Sequence, residues 1–102
     1  MAEVFSWLQG WYASHCDGSW EHEHGIDIES LDNPGWRVII SIVGTELEDR
    51  DFFAVRRRGE GDDWIDCRVT DSPKTGERSF VAGGGPLNLT EMLEVFRTWV
   101  EG

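Results

Sequence analysis

One cysteine and three histidines lie close together near the start of the chain, and these residue types can form a reactive or metal-binding group. Cys16 directly follows His15, and His22 and His24 come soon after, separated by one glutamate. Imidazole and thiolate are the usual ligands of zinc, and a thiolate beside an imidazole can act as a nucleophile. The pattern therefore allows two chemistries, a metal site and a small thiol enzyme.

The spacing of these residues argues against both chemistries. The segment lacks the CxxC and HExxH patterns of metal sites, and its alternating Glu and His residues are typical of an ordinary polar stretch. A catalytic thiolate needs an electropositive pocket, whereas acidic residues follow Cys16. We therefore expect no cofactor and no enzymatic activity. His22 and His24 are the residues that would hold a metal if one binds, and an enzyme using Cys16, His22 and His24 stays open as an alternative.

The charge of the chain is strongly acidic. Its 102 residues include 20 Asp and Glu against 9 Lys and Arg, which gives a formal net charge of -11. Binding to nucleic acid needs a basic stripe, and the only basic run, Arg56-Arg57-Arg58, would place alternate residues on opposite faces of a strand. The chain also lacks an apolar segment typical of a membrane span or signal peptide. We therefore expect a cytoplasmic protein that binds neither nucleic acid nor membrane and has a basic partner.

A helix is predicted near each end of the chain. Apolar residues recur at helical spacing over residues 3–14, and the turn pair Asp17-Gly18 should follow the end of that helix. Near the other end, Asn88 can cap a second helix while Glu91 reaches back to it, as in a capping box. The apolar face of this second helix would consist of Leu89, Met92, Leu93, Phe96, Trp99 and Val100.

Between the two helices the apolar period changes to two, which predicts β-strands. The turn signal Asp32-Asn33-Pro34-Gly35 predicts that the first two strands form a hairpin. The predicted fold is a single α+β domain over residues 1–102, with an antiparallel sheet of four to five strands in a meander, flanked by an N-terminal and a C-terminal helix. The strands are expected over residues 26–30, 36–42, 52–58, 64–69 and 78–82.

Tryptophans and carboxylates together indicate a protein-binding surface. Four of the six tryptophans lie on predicted apolar faces, whereas Trp20 and Trp64 stand among acidic residues. An exposed aromatic ring surrounded by carboxylates suits the binding of a basic partner, because the ring supplies contact area and the charges steer association. The predicted partner-binding residues are Asp17, Trp20, Glu21, Glu23, Glu46, Glu48, Asp49, Asp51 and Trp64.

A set of motifs in this order resembles the immunity protein 53 family, over about residue 5 to about residue 100. The motifs are Trp7-Leu8-x-x-Trp11-Tyr12, Cys16-Asp17-Gly18-x-Trp20-Glu21-His22, Gly25-Ile26-x-Ile28, Leu31-Asp32-Asn33-Pro34-Gly35-Trp36, Gly44-Thr45, Trp64 with Cys67, and Gly84-Gly85-Pro86-x-Asn88-Leu89. The resemblance implies a small cytoplasmic antitoxin of a bacterial polymorphic toxin system, which binds and neutralises a secreted toxin domain. No catalytic residues come with it.

Charge and resemblance together lead to one hypothesis. An acidic face would mask a basic toxin surface, such as the substrate groove of a nuclease, by mimicking phosphate charge. Two alternatives stay open: the thiol- or metal-dependent enzyme, and an interaction domain that forms a homodimer through an exposed aromatic patch. The sequence leaves both a monomer and a homodimer possible.

Overall fold

The computed structural model describes residues 3–102 and confirms the α+β prediction. Over these residues it contains one five-stranded antiparallel sheet with a helix on either side of it in the chain, and a one-turn helix near the start. None of the helices in the described range is long and apolar enough to span a membrane. The elements are α1 (Val4–His15), α2 (Trp20–Glu23), β1 (Ile26–Leu31), β2 (Gly35–Ser41), β3 (Val55–Arg58), β4 (Trp64–Asp71), β5 (Arg78–Gly84) and α3 (Leu89–Glu101).

The order of the strands in the sheet is β1-β2-β5-β4-β3, so the predicted meander is wrong. A meander pairs each strand with the next along the chain, but β5 pairs with both β2 and β4 and lies at the centre. The segment after β2 instead carries the chain to the far edge of the sheet, where β3 pairs with β4. This arrangement suits the sequences, because a strand with three consecutive arginines is tolerated at an edge and an apolar strand rich in small residues fits the centre.

The core lies between one face of the sheet and helices α1 and α3. Val38, Ala82 and Cys67 stand opposite one another across β2, β5 and β4, and all three are buried. Burying a side chain such as Val or Leu stabilises the fold by about 1.5–3 kcal/mol. The helices contribute Val4, Leu8, Trp11, Met92, Leu93 and Phe96 to the same core.

The opposite face of the sheet is polar and partly exposed. A row of directly paired residues crosses all five strands of the described sheet on this face: Glu29, Arg37, Gly83, Asp66 and Arg56. Positive and negative side chains alternate around the central glycine, so the row carries little net charge. This face therefore differs in character from the acidic regions described below.

The N-terminus of α3 departs from the predicted capping box. The side chain of Asn88 makes no capping hydrogen bond to the helix. Its Nδ2 donates instead to Asp63 Oδ1 at 2.8 Å and to Glu91 Oε1 at 3.1 Å. Arg57 also pairs with both of these carboxylates. Asn88 therefore ties the β3–β4 turn to α3, and its Oδ1, the atom that would cap the helix, instead accepts from the amide of Trp64 at 3.4 Å.

The C-terminus of α3 is closed by an arginine from a distant loop. Arg50 Nη1 donates to the carbonyl oxygens of Trp99 at 2.7 Å and Val100 at 3.0 Å. The last carbonyls of a helix have no partner within it, and a positive charge there is favoured by the helix dipole. Arg50 thereby fixes the segment between β2 and β3 against the end of α3.

Candidate protein-binding surfaces

The turn between α1 and α2 is held together by two of the predicted binding carboxylates. Asp17 Oδ1 accepts hydrogen bonds from the amides of Trp20 and Ser19, each at 2.9 Å. The carboxylate of Glu21 accepts from the amides of Asp17 at 2.9 Å and Gly18 at 2.8 Å. Backbone amides lower the pKa of both side chains. For Asp17 the amides of Trp20 and Ser19 have the largest effect, and for Glu21 its own amide has the largest effect. Both carboxylates therefore keep their negative charge in mildly acidic solution.

Trp20 is buried, so the expectation that its ring is exposed among the acids is wrong. Only 7% of the residue is accessible, and its indole Nε1 donates to the carbonyl oxygen of Val43 at 2.8 Å. Its ring also packs edge-on against Trp11, with 6.2 Å between ring centroids. The short helix α2 turns Trp20 inward and leaves the exposed side chains of His22 and Glu23 outside. Trp20 thus fixes α2 to the core. Its neighbours in the sequence are polar, so the sequence pattern did not indicate that its ring is buried.

The loop after β2 carries the next predicted carboxylates to the same end of the molecule. Glu46 contacts the indole Nε1 of Trp11 at 3.2 Å and the imidazole Nε2 of His15 at 2.8 Å. Glu48 accepts a hydrogen bond from the amide of Gly44 at 3.1 Å. Leu47 between them is fully buried and fixes the loop to the core. The loop therefore has a defined shape in which both carboxylates are exposed.

These contacts join two segments that carry six carboxylates, three in residues 17–23 and three in the loop after β2. The arginine nearest to them in sequence, Arg50, turns away to the end of α3. We name this region the acidic surface, and it consists of Asp17, Glu21, Glu23, Glu46, Glu48 and Asp49. Six of the nine residues predicted to bind a partner are thus carboxylates on these two joined segments.

Asp51 belongs to a separate groove between the segment of residues 51–55 and α3. The groove has a volume of about 420 Å³, and we name it the Phe53 groove. Phe53 is 86% exposed, far more than any tryptophan of the described chain. The residue pattern of segment 52–58 predicted a continuous strand and so concealed Phe53, although an aromatic residue two positions after Asp51 was the available signal. The groove is lined by Asp51, Phe52, Phe53, Val55, Glu91, Glu94, Val95, Thr98 and Trp99.

Trp64, the remaining predicted residue, lies on the polar face of the sheet. Its ring covers Gly83, where a side chain would come within 3.4 Å of the indole. The ring is half-buried and has Asp66 and Arg68 as neighbours in the same groove, rather than a ring of carboxylates. The structure therefore divides the nine predicted residues among four places: the acidic surface, the core, the Phe53 groove and the polar face of the sheet.

The histidines are engaged by different partners. His15 contacts Glu46, whereas His24 contacts Glu77 across the sheet, and His22 is exposed on α2. Among residues 3–102, no three or more His, Cys, Asp or Glu side chains come together as a metal site would require. The residues singled out as possible ligands, His22 and His24, therefore do not converge on one point with a third ligand.

The two cysteines are free thiols in contrasting surroundings. Cys16 is exposed, and its Sγ donates to the carbonyl oxygen of Tyr12 at 3.4 Å. Cys67 is fully buried in the core, and burial raises the pKa of its thiol to about 12. A nucleophilic cysteine needs an accessible thiolate beside a base. Cys67 does not meet that requirement, and the thiol of Cys16 is held by a backbone carbonyl.

Comparison with known proteins identifies the family. The family model described as Immunity protein 53 matches residues 5–101, almost the whole chain. The chain belongs to the immunity protein 53 family. The resemblance found in the sequence motifs is thereby confirmed. No curated protein and no solved structure matches the chain significantly. Membership in the immunity protein 53 family implies a toxin-neutralising role in general terms, and immunity proteins are generally not enzymes.

Proposed function

We propose that this chain neutralises a basic toxin domain, such as a nuclease, by covering its active groove with the acidic surface. The observation that carries the proposal is the hydrogen bond between Trp20 and Val43, because it places the carboxylates of α2 beside those of the loop. Family membership supplies the toxin as partner. The net charge of -11 supplies the attraction to a basic one.

The acidic surface is suited to this role because several of its carboxylates are held in place before binding. Glu21 and Asp17 are fixed by backbone amides, and Glu46 by an indole and an imidazole. Groups that are already ordered lose little conformational entropy when a partner binds. Such a surface can imitate the spaced negative charges of a phosphate backbone and steer a basic groove toward it.

The test of this mechanism is charge reversal at positions that do not hold the fold. Glu23 and Asp49 are suitable because both side chains are exposed, whereas those of Glu21 and Glu48 also bind backbone amides. The double variant E23K/D49K should bind the cognate toxin domain about tenfold more weakly, mainly through slower association. Stopped-flow association at low and high ionic strength measures this effect.

The matched control is Asp32→Lys, which reverses one exposed charge in the turn between β1 and β2. It should change the association rate by less than about twofold. If E23K/D49K and the control behave alike, and binding does not depend on ionic strength, the electrostatic mechanism is wrong. Protection of cells that express the toxin tests the immunity role separately, because a chain that protects by another surface would still rescue growth.

A further inference from the structure

We propose that the Phe53 groove binds a segment of the toxin in which one large apolar side chain is flanked by lysine or arginine. This inference rests on the proposed function and adds a contact outside the acidic surface. The groove is lined mainly by apolar side chains and has carboxylates on its rim. Its volume of about 420 Å³ accommodates one large side chain with the adjoining backbone.

The apolar floor of the groove is already formed. Phe52 packs edge-on against Trp99, with 5.0 Å between ring centroids, and also against Phe80 in the core at 5.6 Å. The indole Nε1 of Trp99 donates to the carbonyl oxygen of Asp51 at 2.9 Å. Above this fixed floor, Phe53 exposes 86% of its surface to solvent. A partner's apolar side chain can cover Phe53 and this floor with little loss of conformational entropy, because the floor is already ordered before binding.

The rim of the groove selects for positive charge. Three carboxylates line it, and Arg57 pairs with one of them, Glu91, at 2.7 Å. Asp51 and Glu94 remain as exposed carboxylates on the same rim. A second copy of this chain would bring like charges together here, because each copy carries a net charge of -11. Charge complementarity therefore favours a basic partner over a homodimer.

A second apolar groove on the molecule shows the contrast. It lies between α1 and β1, has a volume of about 320 Å³, and includes the partly exposed Phe5 and Tyr12. No charged residue lines it in the described chain. Both grooves offer apolar area, but only the Phe53 groove combines it with carboxylates. Phe5 therefore provides an internal control for Phe53.

The Phe53 groove also continues from the acidic surface along the chain. Asp49 belongs to the acidic surface, and Asp51 two residues later lines the groove. Arg50 between them is fixed to the carbonyls of Trp99 and Val100 at the end of α3. Arg50 therefore lies at the end of the groove, where two backbone carbonyls bind its guanidinium, and the chain passes directly from the acidic surface to the groove.

A peptide titration tests the specificity of the groove without the toxin. The probe is a capped pentapeptide with phenylalanine at its centre and two lysines on each side, and the reference peptide has serine at the centre. Amide resonances of residues 51–55 and 91–99 should shift with the first peptide, at an affinity about tenfold higher than with the second. Equal shifts with both peptides, or shifts centred on the α1–β1 groove, would overturn the proposal.

Variants tested against the cognate toxin domain complete the experiment. Phe53→Ala and Glu94→Lys should each weaken binding about tenfold, whereas Phe5→Ala and Asp32→Lys should change it less than about twofold. Thermal melts check that Phe53→Ala, an exposed truncation, leaves the fold intact. If the chain binds the toxin and Phe53→Ala matches Phe5→Ala, the groove proposal fails and the immunity role stands. If the unaltered chain does not bind or protect, the proposed function itself fails, and the peptide titration still decides the groove.

Discussion

The indole Nε1 of Trp20 donates a hydrogen bond of 2.8 Å to the carbonyl oxygen of Val43, and this contact joins α2 to the loop that follows β2. Gly44 allows the close approach, since a side chain there would come within 3.3 Å of the indole ring. Two segments rich in carboxylates thus share a boundary although about twenty residues separate them in the chain. The acidic surface depends on this boundary.

Replacing Trp20 by Phe should loosen the acidic surface. The variant keeps most of the buried ring but removes the donor, which leaves the carbonyl of Val43 without its partner. We expect the free energy of unfolding to fall by about 1–3 kcal/mol and toxin affinity to fall with it. Urea unfolding and equilibrium binding measure the two effects.

Trp36→Phe is the matched control for this change. Its indole Nε1 also donates to a backbone carbonyl, that of Pro86, at 3.0 Å, but at a site away from the acidic surface. We expect a similar loss of stability with unchanged toxin affinity. If both variants weaken binding equally, the effect is one of general stability and the special role of Trp20 is refuted.

Two glycine-to-alanine substitutions should change stability in opposite directions. A Cβ atom on Gly85 would overlap the carbonyl oxygen of Asp62, so Gly85→Ala forces the β3–β4 turn away from the start of α3. Gly10 lies within α1 with no atom within 4 Å of such a Cβ. We expect Gly85→Ala to destabilise the fold by about 3 kcal/mol or more, and Gly10→Ala to stabilise it by about 1 kcal/mol. Chemical denaturation of the two variants checks both signs.

Asp63 should make the fold sensitive to acid. Hydrogen bonds from Arg57 and then Asn88 lower the pKa of its carboxyl from 3.8 to about 2. Because the pKa is lower in the folded than in the unfolded state, the resulting stabilisation is present above about pH 4 and is lost as the pH falls toward 2. In Asp63→Asn this part of the acid dependence should disappear. Unfolding of both proteins over that pH range measures it.

Carbon NMR of the Asp63 carboxyl provides the direct check. In Arg57→Met its pKa should rise toward the ordinary value, because the largest cause of the depression has been removed. An unchanged pKa in Arg57→Met would show that the Arg57–Asp63 pair does not form in solution.

The two thiols should differ sharply in reactivity. Cys16 is exposed, whereas Cys67 is buried and its pKa is raised to about 12. Iodoacetamide should therefore modify one cysteine in the folded protein and both after denaturation, as measured by mass spectrometry. Cys16→Ser should abolish labelling of the folded protein and leave protection against the toxin intact. Loss of protection in Cys16→Ser would instead favour the thiol-enzyme alternative.

Local sequence patterns predicted the elements of this fold better than their arrangement. The helix over residues 3–14 and the hairpin around Pro34 follow from spacing and turn residues, and the structure has α1 at Val4–His15 and an antiparallel β1–β2 hairpin. The central position of β5 depends on pairing with β2, about forty residues earlier in the chain, which local patterns do not encode. The meander prediction failed for that reason.

The candidate site shows the same limit at the level of single side chains. Charge density identified the carboxylates of the acidic surface, because charged side chains are seldom buried. Charge density did not distinguish a buried aromatic residue from an exposed one. Trp20 is buried by contacts with Trp11 and Val43, whereas Phe53 is exposed on a connecting segment. The orientation of an aromatic ring in a short segment depends on tertiary contacts.

Because β5 lies late in the chain, the sheet is completed only near the end of synthesis. While the ribosome has made only the first 71 residues, the β1–β2 and β3–β4 hairpins have no strand to join them. The ladder of Val38, Ala82 and Cys67 closes only after residues 78–84 have emerged from the ribosome. A truncated chain that ends before β5 therefore carries the acidic sequence without the complete sheet, and we expect it not to bind a partner.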